Sequence, residues 1–238
     1  MVGISSVLKI PILDELAREP TPSGSTILVE FDAASQWYNA SVGMTAGWLK
    51  QGGSVEYVTA AQRPDAIRKR LIGLGLDAPE LENQDKLWIG DLYTPTLRQT
   101  SNDPDVGSLR VADLSILIAK NLSKPPVLDL LLFFDNMSTL ARFNDDKAWV
   151  ELCLTRAIPL ASSRNVTIIN GVTRGVHADW VYKTLESAHD GIIDFKLDET
   201  GKETMNMIRV RSMRNVGFDS RWHNLGFGPN FEVSIQDE

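Results

Sequence analysis

Residues 27–40, ILVEFDAASQWYNA, have the form of a strand that runs through a loop into a helix. Such a unit binds nucleotide phosphates when the loop reads G-x-x-x-x-G-K-[ST]. The glycines let backbone N–H groups face the phosphates, the lysine adds positive charge, and the hydroxyl holds Mg²⁺. Aligned on the preceding apolar run, the four defining positions hold Phe31, Gln36, Trp37 and Tyr38. The strand–loop–helix unit is present, but the residues that bind phosphate are not.

Side chains in this loop oppose phosphate binding in several ways. Gln36 puts a side chain where backbone must approach phosphate, and Trp37 replaces the cation with an indole. Tyr38 holds its hydroxyl on a rigid ring, too far from the backbone to be the magnesium ligand. Asp32, with Glu30 before it, adds negative charge, which costs several kcal/mol in a partly desolvated site. We therefore expect neither a nucleotide cofactor nor a metal ion at this degenerate loop, which comprises Phe31, Asp32, Ala33, Ala34, Ser35, Gln36, Trp37 and Tyr38.

Motifs for other chemistries are absent from the sequence. The three histidines, His177, His189 and His223, are far apart, and neither an H-E-x-x-H nor a C-x-x-C spacing occurs, which disfavours a metal site. A Ser-His-Asp hydrolase would want a nucleophile elbow such as G-x-S-x-G, and none is present. The one cysteine, Cys153, lies in an apolar pattern typical of a buried residue.

Length and charge restrict the class of protein. The 238 residues, 43% hydrophobic and 23% charged, predict a single domain spanning residues 1–238. A net charge of −7 without a concentrated basic stretch disfavours nucleic acid as the main partner. A single cysteine excludes an intramolecular disulfide and indicates a reducing compartment. Since no signal peptide or membrane-length apolar run is evident, we expect a cytoplasmic protein.

Apolar runs alternate with amphipathic segments, which predicts an α/β fold with a mostly parallel sheet covered by helices. The predicted strands are 26–30, 54–59, 86–91, 128–135 and 165–170, and the predicted helices are about 37–51, 64–75, 107–121, 145–161 and 177–187. After residue 190, three β-type runs, GIIDFKLDE, TMNMIRVRSM and NFEVSI, predict antiparallel strands at one edge of the sheet. The turn-rich segment 94–107 predicts an exposed loop near the strand ends, where such folds bind ligands.

The order and spacing of several segments resemble the RecA-like P-loop ATPases, in particular the single-domain archaeal relatives of the clock protein KaiC. The resemblance covers nearly the whole chain and rests on five pieces of sequence. They are IPILDEL with PSGSTILVE, LKQGGSVEYVT, PDAIRKRLIGLGLD, LLLFFDNMSTL and IRVRSMRNVGFDSRWHNLGFGPNFEV. The resemblance implies a RecA-like three-layer αβα domain with antiparallel strands at its C-terminal edge.

Other functional positions of this family are also altered here. Where the family has a pair of catalytic glutamates, this sequence has Ala61 and Gln62, which cannot act as bases. The acidic residue that supports Mg²⁺ in active members is retained as Asp135, although a strand-end aspartate is also a common turn cap. Of the K-x-R pair that subunits project into a neighbour's site, Ser212 replaces the lysine and Arg214 remains.

The leading hypothesis is a non-catalytic pseudo-ATPase that acts as a binding or regulatory subunit. Its protein partner would be a second copy, giving a homo-oligomer, or an active KaiC/RecA-like paralogue. The former nucleotide face would then be a packed surface or a pocket for another ligand. One alternative is an ATPase that binds nucleotide through a non-standard phosphate loop, and another is a DNA-binding recombinase paralogue.

Overall fold

The computed structural model describes residues 7–8, 10–103, 109–122, 129–201, 203–228 and 232–236. Its strands are β1 (Val7–Leu8), β2 (Thr21–Pro22), β3 (Thr26–Phe31), β4 (Ser54–Thr59), β5 (Leu87–Asp91), β6 (Leu130–Phe134), β7 (Thr167–Thr173), β8 (Gly191–Asp198), β9 (Met205–Met213), β10 (His223–Phe227) and β11 (Val233–Gln236). Nine of them form one sheet in the order β11-β10-β9-β8-β3-β7-β6-β4-β5. The strands from β8 to β5 are parallel, and β9, β10 and β11 extend the sheet antiparallel beyond β8.

The helices begin and end at residues with recognisable local signals. They are α1 (Leu13–Leu16), α2 (Trp37–Lys50), α3 (Pro64–Gly73), α4 (Ala78–Asn83), α5 (Tyr93–Thr96), α6 (Val111–Leu122), α7 (Asp146–Leu152), α8 (Ile158–Arg164) and α9 (Asp179–Ala188). Pro64 opens α3, where its missing N–H costs nothing, and the chain turns after the helix at Gly75, whose φ is +83°. Among the described residues, none of the helices has the length and apolar composition of a membrane-spanning segment.

Side chains of the sheet pack into a core on each face. Val29 and Phe31 of β3 join the larger core with α2 and α3, whereas Leu28 joins the second core with Val181 and Leu185 of α9. Because neighbouring residues of a strand point to opposite faces, β3 contributes side chains to both cores, and every residue of β3 and of β7 is buried. This is the three-layer arrangement that the sequence predicts, with the antiparallel strands at the C-terminal edge.

Several element boundaries differ from the prediction. The helix predicted at 145–161 contains a π-helical turn, Cys153–Ala157, between α7 and α8. Pro159 explains this turn because proline cannot donate a backbone hydrogen bond and clashes with the preceding turn of a regular helix. A fourth C-terminal strand, β10, was not predicted, since its sequence HNLGF contains residues that are poor in strands. The predicted strand 128–135 is Leu130–Phe134 in the structure, and residue 128 lies outside the described residues.

Candidate functional site

The candidate site lies at the edge of the sheet where the parallel strands end. The carboxyl ends of β3, β7, β6 and β4 are neighbours there, because these strands are adjacent and parallel. The loop of residues 32–36 follows β3, and α2 begins directly after it. The residues at the positions of the phosphate-binding motif therefore lie at the sheet edge where doubly wound folds bind ligands.

The Trp37 side chain fills the interior of this site. It is the first residue of α2, it is fully buried, and its indole Nε1–H donates a 2.7 Å hydrogen bond to the backbone oxygen of Asp135. The ring also stacks on Phe31 and meets Phe195 edge-on, with centroid distances of 5.9 and 5.4 Å. A neutral aromatic side chain at the motif's lysine position thus contacts the ends of β3 and β6 and the middle of β8.

Backbone amides of the loop are engaged within the protein. The N–H of Asp32 donates to the oxygen of Phe195, and the N–H of Ser35 closes a turn on the oxygen of Asp32. Ala33 and Ala34 are exposed at the tip of this turn, while the Gln36 side chain accepts a hydrogen bond from Asn39. The amides of residues 32 and 35 are therefore not directed together at an anion, as amides in a phosphate cradle must be.

Tyr38 occupies the position of the motif's Ser or Thr. Its ring lies edge-on against Phe31, with centroids 5.5 Å apart, and its hydroxyl accepts a 3.0 Å hydrogen bond from the Asn136 amide. Burial, together with the negative charge of Asp135, raises the pKa of Tyr38 to about 12. The hydroxyl therefore stays neutral and serves to join α2 to the end of β6.

The Asp135 carboxylate connects the end of β6 to the loop after β4. It is fully buried, and it accepts hydrogen bonds of 2.8 Å from the backbone N–H of Ala60 and the hydroxyl of Thr59. Burial raises the pKa of Asp135 to about 6, although hydrogen bonds from the Ala60 and Thr59 groups partly oppose this. In this structure Asp135 therefore holds the end of β6 to the loop that follows β4.

The two positions of the family's catalytic glutamates lie on the loop that Asp135 holds. Ala61 and Gln62 are both half-buried, and the backbone N–H of Gln62 donates a 3.2 Å hydrogen bond to the hydroxyl oxygen of Thr59. Neither side chain carries a carboxylate. Among the described residues, no group of three or more His, Cys, Asp or Glu side chains is arranged to hold a metal ion.

The expectation that Glu30 adds negative charge to the phosphate position is wrong. Glu30 is buried on the α9 face of the sheet, where its Oε1 lies 2.8 Å from Arg211 Nη2 and its Oε2 lies 3.6 Å from Arg174 Nε. Arg211 also lies 2.9 Å from Glu186 of α9. Burial raises the pKa of Glu30, and the nearby Arg211 opposes that rise. Glu30 thus belongs to an internal charge network.

Asp194 is the second buried acid of this network. Its side chain is fully buried, and its carboxylate pairs with Arg174 and Arg209, the latter at 2.7 Å. Arg174 also lies 3.9 Å from Asp32, whose side chain is 39% exposed. Of the two acids expected at the phosphate position, Asp32 therefore remains at the loop, where it is within reach of an arginine.

Arg214, the retained member of the K-x-R pair, makes contacts within its own chain. Its Nη2 donates a 2.7 Å hydrogen bond to the oxygen of Ser187 at the end of α9, and its Nη1 lies 3.9 Å from Asp190. Asp190 in turn accepts hydrogen bonds from Thr26 at the start of β3. Arg214 therefore lies near the amino ends of the parallel strands, whereas the loop of residues 32–36 follows the carboxyl end of β3.

The predicted exposed loop 94–107 is described as far as residue 103. It begins with the short helix α5, whose first amides, those of Tyr93 and Thr94, donate to the Asp91 carboxylate. Ser101 also donates to Asp91, and Asp103 pairs with Arg68 of α3. The described part of this segment is therefore held against β5 and α3 by specific polar contacts.

The fold and these positions can be compared with known proteins. A family model described as "ATPase: KaiC" matches residues 9–237. This chain belongs to the KaiC family. A solved KaiC-like protein from the hyperthermophilic archaeon Pyrococcus horikoshii OT3 matches with a TM-score of 0.75 and 19% sequence identity, covering 98% of this chain and 100% of that chain. No curated protein sequence matches this chain. The predicted RecA-like, KaiC-like fold is confirmed.

Gly171 of β7 makes room for the indole in this member of the KaiC family. A Cβ atom at this position would lie 2.5 Å from the backbone oxygen of Asp135 and 2.7 Å from Trp37 Nε1. The sequence gives no signal for this role, because the need for a small residue arises from three segments that meet only in the folded chain. The charge network around Asp194 was missed for the same reason.

We expect Gly171→Ala to lower the free energy of unfolding by about 1–3 kcal/mol, since neither the carbonyl nor the packed indole can move aside freely. Gly90→Ala in β5 is the matched control, because a Cβ there has its nearest neighbour at 3.5 Å. The control should be neutral or slightly stabilising. Urea denaturation measures the free energy of unfolding of both variants. Equal values would show that a methyl group at position 171 fits beside Trp37 without strain.

Proposed function

We propose that this chain is a KaiC-family member that has lost ATP hydrolysis and acts as a binding or regulatory subunit. The observation that supports this most directly is the buried Trp37 indole, hydrogen-bonded to the backbone of Asp135. An indole in this position displaces the lysine that would neutralise phosphate charge and occupies part of the space behind the loop. Replacement of that ring by phosphates would require disruption of the packing around Phe31 and Phe195.

The chemistry of the neighbouring positions supports the same proposal. Asp135 is enclosed by Thr59 and Ala60, so that its carboxylate would have to be released before it could support Mg²⁺. Ala61 and Gln62 offer no base to activate water. Binding and hydrolysis would therefore each need a separate rearrangement, whereas the present packing satisfies the buried polar groups of Asp135 and Trp37.

The test for nucleotide binding is thermal unfolding with and without millimolar Mg-ATP or Mg-ADP. A ligand at a hundredfold excess over its Kd would add about 2.7 kcal/mol of stability. We expect no shift of the midpoint, and no release of inorganic phosphate above the buffer rate. A clear shift that Trp37→Phe leaves intact would favour the alternative in which ATP binds through a non-standard loop.

The proposed partner is a protein, either a second copy of this chain or an active member of the KaiC family. Exposed apolar side chains, among them Ile72, Ile116 and Phe143, offer surface that a partner could cover. A role for Arg214 in a neighbour's site would require release of its bond to Ser187. Sedimentation velocity between 1 and 100 µM, roughly the range of weak homo-oligomers, tests self-association. A monomer that also leaves the ATPase rate of an active relative unchanged would refute this part of the proposal.

A further inference from the structure

Three side chains that are far apart in sequence meet beside the end of β7. Ser138 lies in a 3₁₀ helix, Met137–Arg142, that follows β6; Asp146 is the first residue of α7; and His177 lies in the loop before α9. The Ser138 Oγ is 2.8 Å from His177 Nε2, and His177 Nδ1 is 3.0 Å from Asp146 Oδ1. This is the order of contacts by which a nucleophile, a base and an orienting acid are recognised, whatever their sequence positions.

The hydrogen bonds around these groups determine the direction of each proton. Ser138 Oγ accepts a 3.0 Å hydrogen bond from the backbone N–H of Thr173, so its own hydrogen is available to His177 Nε2. Asp146 has no proton to give as a carboxylate, and it already accepts a hydrogen bond from the indole of Trp149. In the neutral imidazole, His177 Nδ1 is therefore the donor to Asp146, which leaves Nε2 as the acceptor that faces the hydroxyl.

The histidine ring is held firmly in this orientation. Its side chain is 2% exposed and packs against the rings of Trp149 and Tyr182, at centroid distances of 5.2 and 5.9 Å. The Tyr182 hydroxyl donates to the oxygen of Thr173 and accepts from the backbone N–H groups of Val176 and His177, which fixes the loop. Ser138 is half-buried, so its hydroxyl lies closer to solvent than the base behind it.

We propose that Ser138 is the nucleophile of an acyl-transfer site in which His177 is the general base and Asp146 is the positioning residue. The substrate class is a small carboxylic ester with an apolar acyl group, since Val176 and Trp180, which precede and follow His177 in the chain, are exposed apolar residues. The proposal does not depend on whether the degenerate phosphate loop binds a nucleotide. A site that merely clamps the loop would have the same contacts but no reactivity.

The reaction is balanced without any cofactor. Ser138 Oγ attacks the ester carbonyl as its proton passes to His177 Nε2, and that proton then goes to the departing alcohol as the ester C–O bond breaks. Water next attacks the acyl-Ser138 ester, gives a proton to His177, and releases the carboxylic acid as the proton returns to Ser138. The sum is hydrolysis of one ester to an acid and an alcohol.

The experiment uses an alkyl fluorophosphonate, with which Ser138 Oγ would form a P–O bond as fluoride leaves and the proton goes to His177. We expect peptide mass spectrometry to find the adduct on Ser138, and p-nitrophenyl acetate to give a burst of nitrophenol. Asp146→Asn retains an oxygen for His177 and Trp149 but loses the charge that stabilises the protonated base. It should lower the labelling rate by about 100-fold or more while the urea midpoint changes little.

The control for non-specific reaction is Ser187→Ala, which removes an exposed hydroxyl that donates to the backbone oxygen of Thr184 in the same helix. This variant should react at the rate of the unmodified chain, whereas Ser138→Ala should show no adduct and no burst. The proposal is overturned if Ser138 carries no adduct, or if Asp146→Asn, shown to be folded, reacts as fast as the parent. His177→Gln, which removes the base, should likewise lower the labelling rate by about 100-fold or more.

Discussion

Trp37→Ala should lower the free energy of unfolding by about 3–5 kcal/mol, the range observed when a fully buried large aromatic is truncated. The side chain has no exposed surface, and its loss would leave a void between Phe31 and Phe195. It would also leave the backbone oxygen of Asp135 without the indole donor. Both effects act in the same direction, since an empty cavity and an unpaired buried carbonyl each destabilise the folded state.

The control for this prediction is Trp180→Ala, in which a tryptophan that is 46% exposed is removed from the start of α9. Its effect should stay below about 1 kcal/mol, as for most changes at the protein surface. Urea unfolding followed by circular dichroism avoids the loss of tryptophan fluorescence in both variants. If the two substitutions lowered the free energy of unfolding equally, Trp37 would not be the tightly packed side chain on which the proposed function depends.

The sheet could be predicted because its strands are long and apolar. The run of β3 is buried on both faces, and that of β6 is buried on one face and partly buried on the other, which leaves a continuous hydrophobic pattern in sequence. The short elements β1, β2 and α1 were not predicted, because two to four residues carry too little periodicity to be recognised. The π turn before Pro159 depends on how a helix accommodates proline, which a pattern of apolar residues does not reveal.

The residue types at the candidate site were predictable, but their directions were not. The sequence places an indole at the lysine position, and the structure adds that the ring points inward because Gly171 of β7 leaves space for it. The position of Glu30 was predicted wrongly because its arginine partners, Arg174 and Arg211, are far from it in the sequence. Parity along the strand assigns Glu30 to the face of Leu28, and α9 with Glu186 covers that face.

The meeting of Ser138, Asp146 and His177 had no signal in sequence. The absence of a nucleophile elbow argued against a hydrolase, but that motif describes one particular strand-to-helix turn. Here the serine lies in a 3₁₀ helix and the histidine follows a different strand, β7. Because β6 and β7 are adjacent in the sheet, their ends bring Ser138 and His177 together although the two residues are 39 positions apart in the chain.

Asp135→Asn should gain stability relative to the parent chain as the pH rises from 4 to 8. Burial raises the pKa of Asp135 from its ordinary value of 3.8 to about 6, so the folded state binds the proton more tightly than the unfolded state. The stability that Asp135 contributes is therefore complete below about pH 4 and is lost as the pH rises through 6. The two pKa values correspond to a change of about 3 kcal/mol over this interval.

The asparagine variant isolates this effect because its amide does not titrate. Its oxygen can accept from the N–H of Ala60 and its NH₂ can donate to Thr59, so both contacts of the carboxylate persist in neutral form. Glu30, whose pKa is also raised by burial, lies on the other face of the sheet and should contribute equally to both proteins. Urea unfolding at pH 4 and pH 8 gives the difference between parent and variant at each pH. If the stability of parent and variant differed by the same amount at pH 4 and at pH 8, Asp135 would be hydrated in solution and thus accessible to a metal ion. This follows because desolvation is the largest cause of its raised pKa.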